Sequence, residues 1–210
     1  MNKTFGWAAC AVVLGLAASQ AALAADSAPA AMPKIVFGAA DPTLAPAGSY
    51  KLDPFHTAVV ARVSHIGYSF SLFRFGKTAG ELTWDPKAPA QSKLSTTVET
   101  ASIETPVPGF PAELAGAKYL NSAAYPQATF VANTFHPTDA THGKVDGTFT
   151  LMGKTKPVTF EVMLVGAGPG FGHPRMGIHA ETNINPQDYG LPAIFSSPIA
   201  LVIDSEFVKE

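Results

Sequence analysis

Six histidines are the side chains of this sequence whose charge changes near neutral pH. Two of them, His56 and His65, close the ends of one apolar stretch, HTAVVARVSH. Such a pair suggests three chemistries: a shared metal ion, a shared proton, or the flanking of an apolar ligand. Between them the residues alternate, with Thr57, Val59, Ala61, Val63 and His65 on one face and Val60, Arg62 and Ser64 on the other. That two-residue period is a strand. At roughly 3.3 Å per residue the histidines stand about 30 Å apart, and their odd offset turns the side chains to opposite faces. Unless the chain doubles back, they share neither a metal nor a proton. His136, His142, His173 and His179 show no helical i, i+4 pairing and no cysteine partner, so no metal site is expected. A phosphate loop and a Gly-x-Ser-x-Gly elbow are both missing. Ser102, Asp188 and His65 could be named as a triad, but no spacing supports one, and no catalytic residue or cofactor is expected.

The elements that hold these residues are mostly strands. TAGELTWD, KLSTTVETASIET, QATFVANTF, GKVDGTFTLMG, KPVTFEVMLVG, RMGIHAETNI and SPIALVIDSEFVK join the histidine-flanked stretch, making about eight, separated by Gly, Pro and Asn. Short strands at such spacing form an antiparallel sandwich or barrel. One segment differs. FPAELAGAKYLNSAAYP carries Pro111, Glu113 and then Leu114, Ala117 and Leu120 at helical spacing, which predicts a helix of two to three turns, a candidate lid or plug for an open barrel end.

The first residues read as a targeting signal: Lys3, the apolar AACAVVLGLAA, then Ala22-Leu23-Ala24. Residues 1–24 are expected to be a signal peptide cleaved after Ala24, exporting the protein to the periplasm. The apolar run falls short of the roughly 20 residues a membrane-spanning helix needs. Cys10, the one cysteine, lies inside it, so the exported chain is expected to stand without disulfides. Residues 25–48, rich in Ala and Pro, read as a flexible leader in which KIVFG could dock, and 49–210 as one domain. Of 14 basic and 16 acidic side chains only Lys3 falls in the signal, so the mature net charge is −3. That balance offers nucleic acid or an anionic membrane little as main partner. Charged residues make up 14% of the chain, against about a quarter ordinarily, which leaves much of it for an apolar interior.

From Tyr50 to Val208 the sequence resembles the YceI-like family of bacterial lipid- or polyisoprenoid-binding proteins. The resemblance is carried in order by Tyr50-x-x-Asp53-x-x-His56, by Val59, Val63 and His65, by ASIET (101–105) with Tyr125-Pro126, by Val145, Gly147, Thr150, Gly153 and Thr155-Lys156-Pro157-Val158, and by Asn185, Asp188, Tyr189 and Gly190. Three positions depart from the pattern: Pro186 replaces an arginine, Phe73-Arg74-Phe75 lacks a glycine, and Ala61 stands where a larger aromatic is common. The resemblance implies an all-β, lipocalin-like barrel of eight antiparallel strands with one short helix, enclosing an apolar tunnel. Its wall would be Val59, Ala61, Val63, Leu82, Val98, Phe130, Phe149, Leu151, Phe160, Val162, Ile178, Leu201 and Ile203. Head-group contacts would come from His65, Asn183 or Asp188. The ligand implied is a polyisoprenoid, an isoprenoid quinone or a fatty chain held without catalysis, by a protein that tends to form homodimers. Two alternatives stand beside this: a hydrolase or isomerase of lipids inside the barrel, and a lipid-sensing module serving a membrane partner such as a b-type cytochrome.

Overall fold

The computed structural model of the chain describes residues 35–210. The expected signal peptide, its cleavage point and Cys10 lie outside the described residues, as does the first part of the expected leader. The elements are β1 (Gly48–His65), β2 (Ser69–Phe75), β3 (Thr78–Trp84), β4 (Lys93–Glu99), β5 (Ile103–Glu104), α1 (Phe110–Ala115), β6 (Gln127–Pro137), β7 (His142–Leu151), β8 (Lys154–Gly168), β9 (Arg175–Ile184), α2 (Pro186–Tyr189) and β10 (Ile199–Lys209). Neighbouring strands run β1-β3-β4-β6-β7-β8-β9-β10, all antiparallel, and β10 returns to pair with β1. This closed eight-stranded barrel settles the choice between sandwich and barrel. Its staves are the eight strands expected from alternation.

β1 is long because it serves two neighbours on one side. Its first residues pair with β3 (Gly48↔Trp84 to Lys51↔Glu81), and its last with β2 (Val59↔Phe75 to His65↔Ser69). The two sections are separated by a bulge: Asp53 faces Glu206 and Ala58 faces Asp204, so four residues of β1 oppose one of β10. The bulge is built by Asp53, which accepts from the Phe55 N–H and from His56 Nδ1, while its carbonyl accepts from Thr57 Oγ1. Its consequence is a change of parity. Tyr50 and Leu52 point inward before it, Thr57, Val59, Ala61 and Val63 after it. Smaller bulges at Asn133 of β6 and Val165 of β8 reset those strands in the same half of the barrel.

This topology gives the barrel two ends. The residues before β1 and the β3–β4, β6–β7 and β8–β9 connections gather at one, called here the mouth end. The β1–β2 and β7–β8 hairpins, α1 and α2 gather at the other, the helix end. The expected leader is corrected here, since its later part is docked. Ala39 exchanges two backbone hydrogen bonds with Ala167 of β8, Ala45 is fully buried against Tyr50 and Phe207, and the Ala45 carbonyl accepts from Trp84 Nε1. Small side chains fit the narrow gap there, so a composition typical of linkers served packing. Ile35, Val36 and Phe37 of KIVFG are exposed.

The expected helix is shorter than two turns. It ends at Ala115, where Gly116 donates back to the Glu113 carbonyl, and Ala117 is exposed. Leu120 still reaches the core beside Leu114, carried there by turns rather than by helical spacing. A second helical turn, α2, was not expected: Asn185 caps it by accepting from the Gln187 N–H, and Pro186 holds its first position, buried. Four residues are too few to show a period.

The β1–β2 turn stores strain. Ile66 (φ 53°) and Gly67 (φ 81°) both lie in the left-handed region, as the tight hairpin turn demands. A β-branched residue costs about 1–2 kcal/mol there, and Ile66, 75% exposed, recovers little by burial. Ile66→Asn is therefore expected to stabilise the protein by about 1 kcal/mol, measured by urea denaturation; no gain would mean that Ile66 is held by contacts beyond its own turn.

Candidate ligand-binding cavity

An eight-stranded barrel is just wide enough for side chains to fill or for one small ligand to occupy, so the size of the inward residues decides which. Here several are small: Ala61, Thr96, Val98, Ala128 and Ala180 all face the interior. Among the described residues, two cavities lie end to end inside the barrel. The larger, about 340 Å³, runs from the middle of the barrel to the mouth end. The smaller, about 130 Å³, runs from the middle to the helix end, beneath Leu114, Tyr119 and Leu120 of the α1 segment and Leu191 and Phe195 after α2. Tyr119 and Phe195 meet edge-on there, with ring centroids 6.0 Å apart.

The inward residues named from sequence all line one cavity or the other. Leu82, Val162 and Ile178 line the larger. Ala61, Val63, Phe149, Leu151 and Leu201 line the smaller. Val59, Val98, Phe130, Phe160 and Ile203 line both, together with Thr96, and so form a waist. Further wall residues had no sequence signal of their own. Leu52 and Phe135 lie on the far side of bulges that shift the alternation by an amount no pattern announces.

The head-group candidates are corrected. His65 is exposed at the rim of the helix end, where β1 runs out beyond the wall, and Asp188 is exposed on α2, accepting from Asn185 Nδ2. Asn183 is exposed on the outer face: on β9 the inward residues are Ile178, Ala180 and Ile184, and an odd position falls opposite them. The two-residue period alone places it there. The polar lining is instead at the mouth, in the loop between β6 and β7 and the first residue of β7: Asp139, Thr141 and His142; His136 and Lys144 beside it turn to the outer face, where they pair with Asp146 and Glu161. The backbone N–H groups of Thr141 and His142, then the His142 ring, bond the Asp139 carboxylate and lower its pKa to about 2. Further from the mouth, at the start of β3, the buried Thr78 hydroxyl has no hydrogen-bond partner among the described residues.

The histidines do not converge. His56 pairs with Asp53 at 2.8 Å, His136 with Asp146 at 2.9 Å and His142 with Asp139 at 3.1 Å. His179, on the outer face, lies between Asp204 (2.8 Å) and Glu181 (3.1 Å). The hydrogen bond that His179 donates to Asp204 raises its pKa above 6.5 against the opposing effect of burial, with Glu181 adding smaller contributions. Asp53, His56 and Glu206 approach one another closely enough to hold a cation, but Arg175 already pairs with both carboxylates. Burial pushes the Asp53 pKa up, yet the His56 and Phe55 hydrogen bonds and the charges of His56 and Arg175 hold it below 3.8. This cluster ties the bulge of β1 to β9 and β10.

Comparison with known proteins agrees with this architecture. Residues 50–207 match the family described as YceI-like domain. The chain is 36% identical over 169 residues to a UPF0312 protein of Pseudomonas putida (strain W619), a match covering 78% of this chain and 88% of that protein. It is likewise 36% identical over 172 residues to Protein YceI of Escherichia coli O157:H7, with the same coverage. Among solved structures, Burkholderia cenocepacia BcnA superposes with a TM-score of 0.65 at 22% identity, covering 76% of this chain and 99% of that one. A polyisoprenoid binding domain from Saccharophagus degradans, implicated in plant cell wall breakdown, superposes at 0.56 with 15% identity, covering 76% and 97%. These two likenesses are of fold.

Two measurements check the electrostatic reading. Thr78→Val removes an unpaired buried hydroxyl without changing the shape of the side chain, so the ligand-free protein is expected to gain about 1 kcal/mol in urea denaturation; a loss would show that the hydroxyl is bonded. The His179 pair has the opposite dependence on pH from a carboxylate's. A raised folded-state pKa gives stability that is complete below the unfolded value near 6.5 and lost as pH rises through the folded value. His179→Gln is therefore expected to destabilise the protein at pH 5.5 and to have little effect at pH 9. An equal loss at both would assign His179 a packing role alone.

Proposed function

The chain belongs to the YceI-like family, and from that premise we propose that it is an exported, periplasmic carrier that sequesters a long apolar chain, without catalysis, inside its barrel. The observation that carries this is the hollow interior: end-to-end cavities walled by Val, Leu, Ile and Phe, with polar groups gathered at one mouth. A polyisoprenoid, an isoprenoid quinone or a fatty chain suits such a space. The polyisoprenoid binding domain that shares the fold favours the first.

The driving force is burial of apolar surface. Each five-carbon prenyl unit taken out of water contributes roughly 3–4 kcal/mol gross at about 0.8 kcal/mol per carbon. Association and the ordering of a flexible chain remove much of that. A ligand of several units still binds tightly with few polar contacts. In this reading the tail enters first and a polar end stays beside the loop of Asp139, Thr141 and His142, where water and hydrogen-bonding groups remain available. The Thr78 hydroxyl offers one further polar contact inside the wall. Histidines held by carboxylates on the rim and outer face leave the cavity itself to binding.

Native mass spectrometry of the purified protein, followed by organic extraction, tests the reading. A long-chain lipid is expected to come off the wild type, or to be taken up on incubation with polyprenyl alcohols, isoprenoid quinones and fatty amides. Thr96→Trp, which fills the waist from an uncharged position, is expected to lower uptake at least tenfold while circular dichroism stays that of the folded barrel. A wild-type barrel that stays empty after all three incubations overturns the proposal.

A further inference from the structure

The waist is more than a narrowing. Phe130 of β6 and Phe160 of β8 meet there edge to face, with centroids 4.9 Å apart and planes inclined at 75°. The Phe130 ring lies directly over Gly147 of β7. A Cβ at that position would overlap the ring, coming within 2.6 Å of its Cε2 atom. The missing side chain of Gly147 is thus the shelf on which the ring rests. In an ordinary core such a ring has neighbours all round. Phe130 instead has open space towards both ends, since it lines the mouth-side chamber and the inner chamber alike.

We propose that Phe130 determines the length of chain this barrel accepts: seated over Gly147 it closes the tunnel at the waist, and a longer chain reaches the inner chamber only when the ring turns away. This rests on the carrier reading above. The wall of β7 sets the scale. From His142 at the mouth to Gly147 is five residues of strand, about 16 Å, and from Gly147 to Leu151 four more, about 13 Å. A short prenyl chain fits the first section alone. A long one has to displace the ring from its contact with Phe160, and part of what it gains by burial is offset by that displacement.

Affinities of the full-length mature protein for a series of all-trans polyprenyl alcohols, from three to eight units, test this in the wild type and Phe130→Ala. In the wild type, affinity is expected to rise with length and then level off once the mouth-side chamber is full. In Phe130→Ala it should keep rising, so that the ratio of eight-unit to three-unit affinity is at least tenfold larger than in the wild type. The same length dependence in both proteins overturns the proposal. Should Phe130→Ala fail to fold, Phe130→Leu makes the same comparison with an apolar side chain retained. Xenon-pressurised crystals read the gate without any lipid. Two clusters of sites separated at Phe130 in the wild type, joined into one file in the variant, support it, and a continuous file in the wild type overturns it. If no alcohol binds either protein, the carrier reading fails, and the xenon result alone decides whether Phe130 divides the interior.

Discussion

Pairing of β10 with β1 is the contact on which the rest depends. Ile203 against Val59 and Leu201 against Ala61 bring the last strand back to the first, and with that the eight staves lose the outer edges that an open sheet would expose, while β2 and β5 remain a side branch from β1. Closure also fixes the radius. Once eight strands are joined, the interior has a set width, and whether it is solid or hollow depends only on what the inward positions carry. Ala61, Thr96, Val98 and Ala180 carry too little to fill it. The cavity is therefore a direct result of closure around small residues, with connecting segments covering its ends.

A uniform barrel would have two equivalent ends. The bulges of β1, β6 and β8 remove that equivalence, since all three fall in the mouth-side half. Beyond them a second apolar cluster forms from Tyr50, Leu52, Leu82, Leu164, Met176 and Phe207, onto which the segment around Ala45 docks. The helix end is closed differently, by Leu114, Leu120 and Tyr189 packed beneath short helical turns. One end thus has apolar packing over its opening, and the other has hydrogen-bonding side chains around it. Asp53 and His56, part of the opening motif of the sequence, act at this level. They shape the β1 bulge and anchor it through Arg175.

Charge on this protein is mostly local. The ion pairs of His56, His136, His142 and His179 are partly or largely solvent-exposed, a setting in which a pair typically adds between nothing and about 1 kcal/mol. Their effect is on register and turn shape more than on total stability. The Asp139 turn at the mouth illustrates this: two backbone N–H groups and an imidazole fix the carboxylate, and so fix the loop that frames the opening.

Alternation by itself determined the staves of the barrel and which faces of them are apolar, because a strand's period of two is written directly in residues such as Val59, Ala61 and Val63 or Val158, Phe160 and Val162. It also determined that the two flanking histidines could not act together, since nine residues of extended chain keep them apart. The same period placed Asn183 on the outer face, an inference open from the sequence. Other features were decided only by the tertiary structure. Leu52 and Phe135 entered the wall through bulges, whose size depends on the partner strand and not on the bulged sequence. The docking of Ala39 and Ala45 depended on a gap between β3 and β8 that exists only after closure. The polar mouth arose because Asp139, Thr141 and His142 occupy or adjoin a tight loop that the barrel sets at its open end. The waist was hidden for the same reason: Phe130 and Gly147 carry no mutual signal along the chain, and a ring resting on a glycine is a relation between two strands.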